Sequence, residues 1–233
     1  MPLKHYLDDF ARLFYPNICI GCGNDLFNSK NMLCWQCINE LPKTGFELHA
    51  DNPVDVIFYG RLPLVHAFSW LYFNKGSLTQ HIIHQVKYRK NLELGRYLGR
   101  LMAQAMQQTV LYNGIDVLVP LPLNKKKMAI RGFNQSMLLC EGMAEVLQKP
   151  IESVAVLRNR FTETQTHKTR LQRVTNVDQV FGLNDGHRLE NKHALLVDDV
   201  ITTGATMEAC GQVLCGIPGL QLSMASLAIA SKM

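Results

Sequence analysis

The chain has 233 residues, 47% of them hydrophobic and 18% charged, so it can bury a sizeable core and is too apolar to be disordered. Lys and Arg outnumber Asp and Glu by 24 to 19, a net charge of +5. Polar or charged residues interrupt every hydrophobic stretch before it reaches the 18 or so residues of a membrane-spanning helix, so no membrane insertion is expected.

The start of the chain places Leu3, Leu7, Phe10, Ala11 and Phe14 at helical spacing, with Pro16 to close the helix. Asp8, Asp9 and Arg12 break its apolar positions and no small-residue cleavage site follows, so it does not read as a secretory leader and a cytoplasmic protein is expected. Cys19, Cys22, Cys34 and Cys37 come next, two C-x2-C pairs eleven residues apart. Each pair can supply one edge of a tetrahedral thiolate site and the loop brings the edges together, which suits zinc. Gly21 and Gly23 allow the tight turn. The competing reading is a pair of redox dithiols or disulfides, although a redox C-x2-C does not need a second copy at this distance and a reducing compartment is expected. Cys140, Cys210 and Cys215 stand alone among apolar residues and read as small packing groups. The organisation expected is a zinc module over residues 1–45 and a larger domain over 46–233.

From residue 51 the pattern predicts two β runs, Val54–Tyr59 and His66–Phe73, joined as a hairpin or small sheet with Gly60 at the turn. Helices are predicted over Leu78–Tyr88 and Leu92–Gln108. A short apolar strand, Asp116–Leu121, is followed by a basic loop and a helix over Asn134–Gln148. A strand at Val154–Leu157 leads into a long polar stretch, Arg158–Asn176, which reads as a mobile lid or as a solvated loop. A strand at His193–Val197, a helix at Ala205–Cys215 and a strand at Leu222–Ala230 complete the pattern. The fold class is therefore α/β, a largely parallel sheet with flanking helices, plus the small four-cysteine module.

Charge is concentrated between Lys125 and Arg173, where ten Lys or Arg face four Glu. That excess of +6 marks the middle of the chain for an anionic ligand, or else for a solvated basic face.

The segment Leu195 to Thr206 carries the most chemistry. An apolar strand ends in Asp198 and Asp199, then Val200, Ile201, Thr202, Thr203, Gly204, Ala205 and Thr206 open a helix. Backbone N–H groups at a helix start hold a phosphate, threonine hydroxyls add donors, and two carboxylates accept from a vicinal diol. The segment resembles the phosphoribosyl pyrophosphate (PRPP) motif of type I phosphoribosyltransferases. Asp116 to Pro122, followed by Arg131-Gly-Phe-Asn-Gln-Ser136, is similar to the signature of the competence protein F (ComF) family. The paired cysteines, Val86 to Gly95 and the long polar stretch also fit that family.

The resemblance implies that Asp198 and Asp199, the candidate catalytic pair, hold the ribose hydroxyls, and that Thr202 to Thr206 hold the 5′-phosphate. Read physically, Arg131 and Gly132 would meet pyrophosphate, with Lys87 and Arg89 behind them and Arg170 and Arg173 arriving from the long stretch. Magnesium would bridge the diphosphate, held by substrate and water more than by protein. No acceptor pocket is legible, so any hood over the site must come from residues 46–75 or the zinc module. Two functions stay open. One is phosphoribosyl transfer to a base or amine. The other is an accessory role in DNA uptake, binding single-stranded DNA or a helicase, although only Phe133 and Phe161 supply aromatic rings in the basic stretch.

Overall fold

The computed structural model describes residues 18–25, 31–158 and 180–230. The helix expected over residues 3–14 and most of the polar stretch after Arg158, with Arg170 and Arg173, lie outside the described residues.

Four parallel strands form the main sheet in the order β1 (Leu64–Phe73), β6 (Gln221–Ala230), β5 (His193–Ile201), β2 (Val117–Pro120). Side chains alternate across it. Leu195 and Val197 of β5 face one apolar layer with Ala225 and Leu227 of β6, while Ala194 and Leu196 face the other with Leu222 and Met224. Both faces are covered, so the middle of the sheet is apolar and its buried polar groups are paired. Ser69 and Ser226 bond to each other at 2.6 Å across β1 and β6, and Ser223 lies 2.8 Å from His193 Nε2 across β6 and β5.

The first layer is built by α3 (Leu78–Arg89), α4 (Leu92–Met106) and α6 (Gln135–Leu147). Ser77, Asn91 and Asn134 cap them, each side chain accepting from an N–H of the first turn. Arg96 and Arg100 of α4 reach Glu141 and Glu145 of α6 at 2.6 and 3.0 Å. The second layer holds α2 (Pro53–Phe58), α7 (Ala205–Leu214) and a two-stranded antiparallel ribbon of β3 (Val156–Arg158) and β4 (Phe181–Leu183).

Two sequence expectations are corrected. Residues 54–59 form no strand and no hairpin. Asn52 accepts from the N–H groups of Val54 and Asp55, Asp55 accepts in return from the Asn52 N–H, and Pro53 occupies the first helical position, so the capping box starts α2 despite the β-branched run. The following strand, β1, pairs in parallel with β6 at the far end of the chain. The expected basic loop after β2 is also helical over α5 (Lys125–Arg131), capped by Asn124 and closed by Gly132.

The described part of the N-terminal segment does not stand apart. Cys19, Leu33, Cys37 of the short helix α1 (Trp35–Glu40) and Leu41 are buried in the same apolar cluster as Ile82, Ile83 and Val86 of α3. Residues 42–44 run along the free edge of β1, with Tyr72 N–H donating to Pro42 and Thr44 N–H to Trp70, at 2.8 and 2.9 Å. An otherwise open sheet edge is thereby covered.

Candidate functional site

The four paired cysteines converge. Their sulfurs all lie within 4.8 Å of one another, and Cys22 Sγ is 3.7 Å from Cys34 Sγ. Thiolates held tetrahedrally at about 2.3 Å from zinc sit roughly 3.8 Å apart, so the spacing suits such an ion. Amide groups support the anionic form. Burial acts to raise the Cys19 thiol, but the N–H groups of Cys22, Cys34 and Gly21 aimed at its sulfur outweigh this and bring it down to about 6. Cys37 is pushed the other way by burial and by its three sulfur neighbours, a crowding that a bound cation relieves. The cluster can hold a metal ion. Cys140 and Cys210 are fully buried in the two apolar layers, and Cys215 is half-buried.

The second site is a cleft of about 520 Å³ at the carboxyl ends of the sheet. Its floor is the end of β5. The strand continues through Asp198 and Asp199 to Ile201, four residues beyond the expected end, because Asp198 and Val200 stay in register with Ser226 and Ala228 of β6. Asp198 Oδ1 accepts from the Ser136 hydroxyl at 3.0 Å and from the Asp199 N–H at 2.8 Å. Lys87 Nζ lies 2.6 Å from Asp199 Oδ2, both side chains less than one-fifth exposed, at 19% and 17%. Burial and the adjacent Asp199 charge push the Asp198 carboxyl up to about 7, against the opposing pull of the Asp199 N–H, Ser136 and Lys87. One acid is thus ion-paired and its neighbour titrates near neutrality.

Beyond β5 the chain turns at Gly204, which has φ +79° and caps α7 without any side-chain capping bond. A Cβ there would meet Ile57 Cγ2 at 2.8 Å and the Phe58 ring at 3.1 Å, so both its conformation and its surroundings require glycine. Thr202 and Thr206 line the cleft with Val200. Thr203 instead accepts from the Ala205 N–H, and Thr203, Gly204, Ala205 and Ile201 are not among the lining residues.

Arg131 lines the opposite wall with Lys127, and its guanidinium bonds to Gln135 Oε1 at 2.9 Å. The Gln135 Nε2 is buried with no partner among the described residues. Gly132 spends its N–H on Met128 at 2.7 Å as the end of α5, which leaves that amide no donor for a ligand. Lys87 faces the cleft, whereas Arg89 is exposed and outside the lining.

Several lining residues were not singled out from the sequence. Ser136 and Gln135 lie inside the Arg131–Ser136 signature, and Arg158 sits at the end of β3 with its guanidinium 5.1 Å from the Phe181 ring. Gln80, His84 and Tyr88, spaced four apart, form one stripe of α3 along the cleft. The His84 and Tyr88 rings stand 4.5 Å apart, and Tyr88 also lies 6.0 Å from the Arg131 guanidinium. The four-residue period was visible, but an exposed helix face shows the same period.

These observations define an α/β protein with a parallel sheet, an acidic pair at a strand end facing a basic wall, and a four-cysteine cluster. No protein-family model matches the chain. The chain has homologues named for competence and DNA utilization. It is 26% identical to "Competence protein F" of Haemophilus influenzae over 215 residues, 86% of this chain and 92% of that protein. It is 34% identical to "DNA utilization protein YhgH" of Salmonella typhi over 136 residues, 57% of this chain, and spans 59% of that relative's length. Among solved structures it is similar to a glutamine PRPP amidotransferase from B. subtilis complexed with ADP and GMP, with a TM-score of 0.39 and 22% identity over 56% of this chain and 25% of that one. Among the described residues no helix is long and apolar enough to cross a membrane.

Proposed function

We propose that the carboxyl-end cleft binds PRPP with magnesium, that the protein transfers the phosphoribosyl group to a planar acceptor, and that it serves DNA uptake. The observation carrying this reading is the Asp198–Asp199 pair at the end of β5, directly ahead of a glycine turn that opens a helix; Gly204 brings no capping side chain, and Thr203 takes only the Ala205 N–H. Two acceptor carboxylates suit the 2′ and 3′ hydroxyls of a ribose. Thr202, Thr206 and the start of α7 suit its 5′-phosphate.

The Lys87 ion pair removes one negative charge from the acidic floor, which lowers its repulsion of an anionic sugar phosphate. Lys127, Arg131 and Arg158 then face the leaving pyrophosphate as the anomeric carbon gains positive character. Magnesium, a hard cation suited to carboxylate and diphosphate oxygens, would be held by PRPP together with Asp198 or Asp199 and would neutralise the leaving group. The Tyr88 and His84 rings and Phe73 form a wall on which a flat acceptor can lie. In the cysteine cluster the ion is zinc in a structural role, since four thiolates complete its coordination and leave no position for substrate.

The names of the homologues support a role in DNA uptake. A second reading, that the basic wall binds single-stranded DNA or a helicase without chemistry, is favoured by one feature: Tyr88 is 62% exposed beside Arg131, in the cleft that Lys127 also lines, an arrangement on which a base stacks.

A thermal-shift titration separates the readings. PRPP with magnesium raises the melting temperature of the wild type, and the double variant Asp198→Asn, Asp199→Asn abolishes the rise. An equal rise in the double variant refutes the PRPP assignment. Stabilisation by a single-stranded oligonucleotide alone, with none by PRPP, favours the second reading.

A further inference from the structure

Helix α3 serves two sites at once. Its buried side, Ile82, Ile83 and Val86, lies in the core, and Lys87 reaches Asp199 in the cleft. At its other end the helix meets the cysteine cluster. His81 Nε2 lies 3.0 Å from the carbonyl oxygen of Ile20, inside the Cys19–Cys22 loop. A carbonyl only accepts, so in this contact the His81 ring donates through Nε2; the Gln85 Nε2 lies farther from the same nitrogen, at 3.4 Å. The loop is also seated tightly: a Cβ on Gly21 would stand 2.7 Å from Cys37 Sγ and 3.1 Å from Leu78 Cδ1 at the start of α3. His81 and Lys87 are six residues apart on one rigid helix, a rise of about 9 Å.

We infer that His81 is a positioning residue that ties α3 to the cysteine loop and thereby holds Lys87 against Asp199, so that an ordered cluster favours ligand binding in the cleft. The inference rests on the reading of the cleft as a PRPP site, but the linkage itself is measurable without PRPP. A helix anchored at one end by a hydrogen bond and in its middle by core packing keeps its far end in place. Freed at His81, the helix can rock on its apolar side, and the lysine loses its aim before the core is disturbed.

The test uses the full-length metal-loaded protein and the variants His81→Ala and His81→Gln, with His187→Ala, an exposed histidine on the short turn after β4, as control. Metal content, affinity for PRPP with magnesium by calorimetry, and hydrogen exchange of the amides of residues 83–89 and 198–200 without PRPP are measured on each. His81→Ala is expected to keep its metal, to bind PRPP about 2- to 10-fold more weakly, the range of one lost hydrogen bond, and to exchange faster at residues 86–89. His81→Gln, whose amide can still donate, is expected to restore most of both effects, and the control to change neither. Wild-type affinity and exchange in His81→Ala, or a glutamine variant no better than alanine, would overturn the inference. So would loss of the metal from His81→Ala, because the bond would then serve the cluster and not the cleft. If the wild type itself has no affinity for PRPP, the cleft reading fails, and the exchange rates alone still decide whether His81 restrains Lys87.

Discussion

Replacing Gly204 by alanine tests the turn on which the cleft depends. The cost has two parts. A non-glycine residue at φ +79° loses about 1 to 2 kcal/mol from the left-handed conformation alone. The new methyl would also stand 2.8 Å from Ile57 Cγ2 and 3.1 and 3.2 Å from two carbons of the Phe58 ring. Phe58 is buried to 1% and cannot swing into solvent, so crowding adds about 1 to 2 kcal/mol at the lower end of overpacked cores. The expected total is about 2 to 4 kcal/mol. A chain of this size loses about 2 to 4 °C per kcal/mol, so the melting temperature should fall by roughly 5 to 15 °C. Urea and thermal unfolding measure it. Gly60→Ala supplies the comparison, since Gly60 has φ +70° with nothing within 4 Å and should show the conformational cost alone, about 1 to 2 kcal/mol. Adding Ile57→Ala to Gly204→Ala should recover part of the crowding as a favourable coupling between neighbours. Equal losses for Gly204→Ala and Gly60→Ala, or no coupling with Ile57→Ala, would refute the argument.

Two more outcomes follow from the site. Asp198 has a folded pKa of about 7, above the ordinary carboxylate value, so the folded state prefers its protonated form. The resulting stability is complete below the unfolded pKa and is lost as pH rises through 7, a decline of about 2 kcal/mol between about pH 5 and about pH 7.5 in the unliganded protein. Asp198→Asn should lack this decline, and parallel profiles of urea-unfolding free energy for wild type and variant would contradict the placement. For the cysteine cluster, elemental analysis should find about one zinc per chain, and Cys19→Ser should lose it together with several degrees of melting temperature. A zinc-free wild type with unchanged stability would rule the metal out.

Much of this architecture was legible because it is written in local patterns. The doubled C-x2-C spacing marked a metal cluster, since ligand spacing within a loop is a local property. The apolar runs at Val117, His193 and Leu222 marked buried strands, and the acidic strand end with its threonines marked a segment that lines the cleft through Asp198, Asp199, Thr202 and Thr206. The misreading of Val54–Tyr59 came from weighing β-branched residues above the Asn52-Pro53-x-Asp55 capping box, a start signal also present in the sequence. The same holds for α5, whose ends Asn124 and Gly132 mark a helix that its lysines suggested was a loop.

What the sequence by itself determined, then, was the kind of each piece and the chemistry of its ends. Only the tertiary structure decided that β1 pairs with β6 more than 140 residues away, that Lys87 meets Asp199, and that one stripe of α3 faces the cleft while His81 meets the cysteine loop. Periodicity tells which side of an element is apolar, but the partner against which that side is buried follows from long-range packing, which no short window of residues contains.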